Sequence, residues 1–192
     1  MFKEQFDNLR KKGALVHNIT NYVTVNDVAN MILACGASPI MSDDIEDVAD
    51  ITSICGGLNI NIGTLNQRTI SSMFAAGKKS NELGHKVLLD PVGAGASSLR
   101  TSTAKKLLED IKFDVIRGNI SEIKTLATGS ETTQGVDANV EDYITEENLA
   151  SAVNFVKTFS KATGSIVAIT GAIDLVSDMN RCFVIRNGRM EM

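Results

Sequence analysis

The chain has 192 residues, of which 43% are hydrophobic and 22% charged, so it can bury a core of ordinary size. Its formal net charge of -4 argues against a nucleic-acid partner, and no apolar run approaches the roughly 20 residues that cross a membrane. The three cysteines (Cys35, Cys55 and Cys182) are widely spaced without a CxxC pair, which predicts a reduced, cytoplasmic protein with no disulfide framework or zinc site.

Short β-branched runs alternate with amphipathic stretches along the chain. The runs predict strands at 14–19, 38–41, 58–63, 86–90, 114–117, 166–170 and 182–185. The stretches predict helices at 24–34, after Ser42, at 67–83, at 98–111, after Asn119 and at 145–161. Such alternation indicates an α/β fold with a mostly parallel sheet, and the nearly continuous apolar strand 86–90 indicates that both faces of the sheet are covered.

Two helix boundaries carry specific predictions. Thr24 is a plausible N-cap, and Gly36 is placed to end the same helix. Ser42 is expected to cap the next helix, which would turn Ile45 and Val48 inward.

Two regions interrupt the alternation. The segment 129–147 is acidic and contains no Lys or Arg, which predicts an exposed loop. Near the end, 182–185 and 190–192 flank an Asn-Gly pair, the strongest short signal for a β-hairpin. No repeat, low-complexity segment or linker is present, so residues 1–192 are interpreted as a single domain.

Polar residues that directly follow core strands are the best candidates for ligand binding, because ligands of open parallel sheets lie beyond the carboxyl ends of the strands. The segments that qualify are 17–21, 61–64, 90–95, 117–119 and 170–171.

Asp90 closes an apolar strand and is followed by a loop that contains Gly93-Ala94-Gly95. A carboxylate beside a glycine-containing loop suits a metal-bound phosphate, although Asp90 could instead cap a turn. The loop is neither a Walker A motif nor a Rossmann GxGxxG fingerprint.

Arg117 lies at a strand end and could bind phosphate oxygens, while Glu122 could hold a metal-bound water. Asn119 and Glu122 also have the spacing of a capping box, so a purely structural role is equally open. The pair Thr170-Gly171 could offer a hydroxyl and a backbone N–H to a nucleotide, or form a turn between two strands.

Neutral side chains follow the first strand. Asn18, Thr20 and Asn21 could bind an uncharged polar ligand or satisfy the backbone of a turn. Met41 could fill the core or cover a ligand. His17 is interpreted as a packed or turn histidine rather than a catalytic one.

Seven segments, taken together and in order, resemble the hydroxyethylthiazole kinase family of the ribokinase-like superfamily. They are 15–21, 36–41, 61–65, 89–96, 116–119 with Glu122, 135–137 and 168–171. The resemblance implies a ribokinase-like three-layer fold, with a mostly parallel central sheet and helices on both faces.

Members of the family transfer the γ-phosphate of ATP to the primary alcohol of 4-methyl-5-(2-hydroxyethyl)thiazole, with Mg²⁺, in thiamine biosynthesis or salvage. The resemblance implies that Met41 contacts the thiazole and that Asn21 and Gly63 lie in the same pocket. It also implies a homotrimer whose pockets lie between subunits.

By the same resemblance, Arg117 and Thr170 are expected to bind ATP, and Asp90 and Glu122 to organise Mg²⁺ and the phosphates. The family's Gly-x-Gly-Cys or Gly-x-Gly-Asp catalytic segment would lie beyond Met192, so the chain is expected to be C-terminally truncated and no catalytic residue is assigned within it.

Two alternative functions stay open at this point. A chain without the catalytic segment could be a non-catalytic nucleotide- or thiazole-binding remnant. It could also be a related kinase whose acceptor is another vitamin-precursor alcohol or a sugar. Because sugar kinases usually hold several hydroxyls with acidic residues, Asn18, Asn21 and Met41 favour a small, weakly polar heterocycle.

Overall fold

The computed structural model describes residues 3–128 and 142–187. The helices are α1 Lys3–Lys12, α2 Val25–Cys35, α3 Val48–Ile54, α4 Gln67–Leu83, α5 Ser98–Asp110, α6 Ile120–Ala127 and α7 Leu149–Thr163. The strands are β1 Leu15–Ile19, β2 Ser38–Met41, β3 Gly57–Asn61, β4 Lys86–Asp90, β5 Val115–Gly118, β6 Ile166–Ile169, β7 Asp174–Ser177 and β8 Cys182–Ile185. Contacts divide the chain into two compact units, Met1–Val87 and Leu88–Met192.

In the first unit, β1 pairs in parallel with β2 on one side and β3 on the other. Asn18 lies opposite Met41 in the first pairing and opposite Asn59 in the second, so polar residues gather at the carboxyl ends of these strands. Alternate residues of β3 are buried: Leu58 and Ile60 are 2% and 0% exposed. That burial follows the period of two expected of a strand.

The boundary between the units falls within β4, of which Lys86 and Val87 belong to the first unit and residues 88–90 to the second. In the second unit, this part of β4 runs parallel to β5 and β5 to β6, and β7 and β8 continue the sheet in antiparallel orientation. Apolar side chains of the strands and helices of this unit form its core. The fully buried ones include Ile116, Ile169 and Leu175 of the strands and Leu107 and Phe159 of the helices. The parallel strands β4, β5 and β6 end on the same edge, where Asp90, Arg117 and Thr170 lie at or just after the strand ends.

The predicted α/β class with mostly parallel strand pairing is confirmed, and α2 begins after Thr24 and ends at Gly36 as predicted. Gly36 has φ 96°, and its N–H donates to the Leu33 carbonyl. Glycine adopts this left-handed conformation readily and so closes the helix.

The prediction that Ser42 caps a helix was wrong. The Ser42 hydroxyl donates to the Asp47 carboxylate, residues 42–47 form a loop with a turn, and α3 begins only at Val48. Val48 is buried as expected, but Ile45 is 46% exposed because it lies in that loop. The predicted helix at 145–161 begins later than expected: residues 146–148 form a turn, and α7 starts at Leu149, although Thr145 and Asn148 exchange the reciprocal side-chain bonds of a capping box.

Helix α1 and strand β7 were not predicted. None of the residues of α1 is buried, and only Phe6 and Leu9 within it are apolar, so its sequence lacks the wide apolar face that indicated the other helices. Strand β7 has only four residues and follows a Gly-containing turn. The predicted strand 182–185 is confirmed as β8, and β7 is its partner.

Several predictions fall on residues outside those described: the loop 129–141, the motif 135–137, and the hairpin partner 190–192 with Gly188. The described remainder of the acidic segment, 142–147, is mostly exposed and forms ion pairs: Lys124 lies 2.9 Å from Asp142, and Arg186 lies 2.7 Å from Glu146. That Arg186 hydrogen bond lowers the pKa of Glu146. In the ranges 3–128 and 142–187, none of the helices is long and apolar enough to cross a membrane.

Candidate functional site

The first unit contains a cavity of about 210 Å³ at the carboxyl ends of β1 and β2. It is lined by Asn18, Thr20, Tyr22, Val25, Met41, Ser42 and Asp43. Met41 ends β2 and is 37% exposed, so it lines this space instead of filling the core. The hydroxyl oxygen of Thr20 is buried and has no hydrogen-bond partner among the residues that the structure describes. The lining thus combines apolar side chains and neutral polar groups with one carboxylate, that of Asp43.

Asn21 and Gly63 lie together in a network of hydrogen bonds beside Asn61. The Asn61 side-chain oxygen accepts from Asn21 Nδ2 at 3.0 Å and from the Gly63 N–H at 2.9 Å. A β-carbon at Gly63 would come within 3.0 Å of the Asn21 β-carbon and 3.1 Å of the Asn61 oxygen. The close approach therefore favours glycine at this position.

Asn21 also organises the start of α2. Its side-chain oxygen accepts from the Val23 N–H at 3.0 Å and the Thr24 N–H at 3.1 Å. Thr24 occupies the N-cap position but makes no side-chain cap bond. Asn21 therefore has the turn-satisfying role that the sequence left open. Neither Asn21 nor Gly63 belongs to the described lining of the cavity at Met41.

His17 is fully buried and makes two hydrogen bonds. Nδ1 lies 3.0 Å from the Thr52 hydroxyl, and Nε2 lies 2.9 Å from the Ser42 carbonyl oxygen. Because a carbonyl only accepts, Nε2 carries the proton and Nδ1 accepts from Thr52. Burial lowers the pKa of His17, while the Ser42 bond and the charge of Asp47 oppose that shift. The interpretation of His17 as a packed histidine is therefore confirmed.

The second unit contains a cavity of about 570 Å³ that brings together four residues predicted to bind ligand: Asp90, Arg117, Glu122 and Thr170. Val92, Gly118, Asn119, Gly171 and Asp174 complete its lining. A further cavity of about 470 Å³ shares Asn119, Thr170 and Gly171 with it and includes Tyr143. The two spaces together could accommodate an elongated ligand with a phosphate chain.

Arg117 and Asp90 form an ion pair at the polar edge of the sheet. Arg117 Nη1 donates to the Asp90 carboxylate at 3.1 Å, and the two side chains are 50% and 12% exposed. The half-exposed guanidinium is thus oriented by a mostly buried carboxylate and can still receive an anion. A planar guanidinium fork matches phosphate oxygens well.

Glu122 joins two loops through its two carboxylate oxygens. One accepts from the Gly93 N–H at 2.8 Å, and the other from the Asn119 N–H at 2.9 Å. Asn119 in turn accepts from the Glu122 N–H at 2.8 Å, which completes the capping box at the start of α6. The structural role that the sequence left open for this pair is therefore confirmed.

The chemistry of these carboxylates can be compared with that of a magnesium site. Within the described parts of the chain there is no group of three or more His, Cys, Asp and Glu that could hold a metal. Asp90 and Glu122 are hard oxygen donors in one cavity, already engaged with Arg117 and with backbone N–H groups. Mg²⁺ usually keeps several waters and binds few carboxylates directly. The two residues therefore fit Mg²⁺ as acceptors for its bound waters.

Sequence reasoning missed several residues that line these cavities. Tyr22 and Asp43 line the first, and Asp174 lines the second. Asp43 lies two residues after the end of β2, close to a strand end like the predicted ligand residues, but the sequence analysis predicted a helix that begins at Ser42. Asp174 begins the strand that was not predicted and accepts from the Gly171 N–H at 2.9 Å.

Comparison with known proteins gives a consistent match. The model of the hydroxyethylthiazole kinase family matches residues 6–192. The chain is 61% identical over 192 residues to hydroxyethylthiazole kinase of Clostridium acetobutylicum and covers 70% of that protein. It is 55% identical over 182 residues to the Clostridium beijerinckii protein of the same name, with 95% of this chain and 65% of that one aligned.

Solved structures agree with the sequence match. A hydroxyethylthiazole kinase protein from Pyrococcus horikoshii is 36% identical, with a TM-score of 0.83 over 97% of this chain and 66% of that chain. A candidate ribokinase II from E. coli has a TM-score of 0.55 at 11% identity, over 94% of this chain and 66% of that one, which bears on the fold alone. The predicted ribokinase-like fold is confirmed. The chain spans about two thirds of the length of most of these relatives.

Proposed function

Since the chain belongs to the hydroxyethylthiazole kinase family, we propose that the whole protein transfers the γ-phosphoryl group of ATP to the hydroxyethyl group of 4-methyl-5-(2-hydroxyethyl)thiazole. This reaction would serve thiamine biosynthesis or salvage. The observation that carries the proposal is the match of almost the entire chain to that family. The chemistry of the two units, taken one at a time, supports it.

The first unit would bind the thiazole alcohol. Met41 offers a polarisable thioether to the heterocycle, and Thr20 offers a hydroxyl that has no partner among the described residues. Asn18 lines the pocket with an amide that is already bonded to the Val16 carbonyl and the Asn59 side chain. Asn21 and Gly63 would act in the same region by fixing the backbone before α2 and after β3. A mostly neutral lining suits a small heterocycle better than a polyhydroxylated sugar.

The second unit would bind ATP. The Arg117 guanidinium would hold phosphate oxygens, and the Thr170 hydroxyl would donate to the nucleotide. Mg²⁺ supplies neutralisation of phosphate charge in such reactions. Asp90 and Glu122 would accept hydrogen bonds from its waters, and Asp90 would also keep Arg117 aligned. We assign no catalytic base among residues 3–128 and 142–187.

We also propose a homotrimer, in the cytoplasm, with the thiazole pockets between subunits. Helix α2 supports assembly because it is apolar and none of its residues is buried in the chain. Val23, two residues before α2, is 83% exposed, and Met31 and Leu33 within the helix are 65% and 55% exposed. Exposed apolar patches of this kind usually mark interaction surfaces. Sedimentation of the whole protein should give three times the mass of one chain; a monomer would contradict this proposal.

The kinase proposal is tested by incubating the whole protein with Mg-ATP and the thiazole alcohol. Mass spectrometry should detect the phosphorylated thiazole, with none formed when Mg²⁺ is chelated. A panel containing another vitamin-precursor alcohol and a sugar controls for acceptor choice. Binding of both ligands without turnover would favour a non-catalytic protein, and faster turnover of another acceptor would favour a related kinase.

A further inference from the structure

We propose that His17 is a positioning residue for the thiazole pocket, holding the segment Met41–Asp43 in place through the Ser42 carbonyl. This inference rests on the proposed function of the pocket that Met41 lines. His17 itself does not belong to the described lining of the cavity, whereas Met41, Ser42 and Asp43 all do. His17 would therefore act on the substrate through the segment it holds.

The imidazole connects three parts of the first unit. His17 lies in β1, its Nδ1 contacts Thr52 in α3 at 3.0 Å, and its Nε2 contacts the Ser42 carbonyl at 2.9 Å. Thr52 is 1% exposed and His17 is 0% exposed, so water cannot readily replace either partner. Strand β2 pairs with β1 so that Met41 lies opposite Asn18. The pairing fixes the positions of these two lining residues relative to each other.

The loop between β2 and α3 has backbone hydrogen bonds at its far end, where the Asp44 carbonyl accepts from the Asp47 and Val48 N–H groups. Side chains hold the part of the loop that lies nearer β2. The Ser72 hydroxyl donates to the Asp43 carbonyl at 2.7 Å, and Arg68 contacts the Asp43 carboxylate at 3.3 Å. His17 holds the residue between Met41 and Asp43. Loss of that bond would leave the Ser42 carbonyl without its buried donor and allow the segment to shift.

Two substitutions separate the two hydrogen bonds. In His17→Gln, the side-chain amide reaches the position of Nε2 and can donate to the Ser42 carbonyl. In His17→Asn, the shorter amide reaches only the position of Nδ1, near Thr52. A positioning role through Ser42 predicts that the glutamine restores function and the asparagine does not.

The experiment uses the whole protein and measures steady-state kinetics with each substrate varied in turn. We expect His17→Asn to raise KM for the thiazole alcohol about tenfold, with KM for ATP changed less than about twofold. His17→Gln should return the thiazole KM to within about threefold of the wild type. Val87→Ala serves as the control, since it truncates a side chain that is 1% exposed in the same unit and lies outside the cavity lining. It should lower the melting temperature and leave both KM values unchanged.

Equal effects of His17→Asn and Val87→Ala on the thiazole KM, or no rescue by glutamine, would overturn the inference. A wild-type protein that neither binds nor phosphorylates the thiazole alcohol would instead overturn the proposed function. In that case, the amide NMR resonances of Met41, Ser42 and Asp43 test whether His17 holds this segment in place. The inference requires them to shift in His17→Asn and to stay near wild-type positions in His17→Gln, and any other pattern contradicts it.

Discussion

Arg117 donates a hydrogen bond to Asp90 across 3.1 Å, from the strand next to the one that Asp90 ends. The acceptor is nearly buried and the donor is half exposed, so the pair fixes one end of the guanidinium and leaves the rest accessible. A partly screened pair of this kind contributes little to stability by itself. The main effect of the pair is to orient the Arg117 guanidinium toward the cavity.

Replacing Arg117 with Lys should weaken ATP binding about tenfold or more, because an ammonium cannot donate to Asp90 and to a phosphate through one planar fork. Calorimetry with ATP measures the effect. Arg181→Lys is a matched control, since Arg181 pairs with Asp178 at 3.1 Å and lines neither cavity of the second unit. Equal losses in the two variants would contradict the assignment of Arg117.

Truncating Met41 to Ala should weaken binding of the thiazole alcohol about tenfold, because it removes an apolar contact of about 1–2 kcal/mol. Affinity for ATP should stay within about twofold. Met179→Ala, at a methionine that is 51% exposed, controls for loss of the side chain as such. Equal losses of the two affinities in Met41→Ala would remove the assignment of this residue to the thiazole.

Gly63→Ala should lower thiazole affinity about tenfold, because the new methyl group would press against Asn21 and Asn61 at 3.0–3.1 Å. Both neighbours are nearly buried and hydrogen-bonded, so they cannot easily yield. Gly56→Ala is the matched control, since a β-carbon there meets no atom of the described chain within 4 Å. Calorimetric titration should show no change in Gly56→Ala. Normal affinity in Gly63→Ala would contradict a shaping role for this glycine.

Glu122→Gln should lower the free energy of unfolding by about 1–2 kcal/mol without metal or nucleotide present, because an amide has only one accepting oxygen for the Gly93 and Asn119 N–H groups. Urea unfolding measures this loss. Glu109→Gln, on the exposed end of α5, should leave stability unchanged. An unaltered midpoint in Glu122→Gln, together with a raised Mg²⁺ requirement, would show that metal organisation outweighs capping.

The neutral state of His17 predicts a specific dependence of stability on pH. Its pKa in the folded chain lies below the ordinary 6.5, so below pH 6.5 the unfolded chain binds a proton that the folded chain does not. Stability should therefore fall as pH drops from 6.5 toward the lowered pKa, with a slope of at most about 1.4 kcal/mol per pH unit. Urea unfolding of wild type and His17→Gln between pH 7.5 and 5 isolates this contribution. A difference between them that is constant over this range would contradict it.

The sequence predicted that several residues of the second unit would lie together because a general rule applies there. Ligand residues gather at the carboxyl ends of parallel strands, and Asp90, Arg117 and Thr170, at or just after such ends, line one cavity. Glu122 could be recognised from its spacing to Asn119, although the spacing did not reveal the bond to Gly93, which lies 29 residues away. Local patterns indicate which residues end a strand but not which loops a side chain joins.

The first site was less predictable for the same physical reason. His17 meets Thr52 across 35 residues, and Asn21 meets Asn61 across 40, so neither pairing leaves a local signal. The start of α3 was misplaced because Ser42 is a good N-cap by type, whereas its hydroxyl binds Asp47 in a loop. Ser42 could either cap a helix or bind Asp47 within a loop, and the structure has the loop.

The apolar side chains of α2 also bear on how the protein is made. Under the proposed trimer, each newly folded chain presents Val23, Met31 and Leu33 to water until it meets two others. Aggregation then competes most strongly in the interval between folding and assembly. That interval lengthens as the concentration of the chain falls. Yield of active protein would therefore depend on how fast chains encounter one another during synthesis, and slow, dilute production would lengthen that exposure.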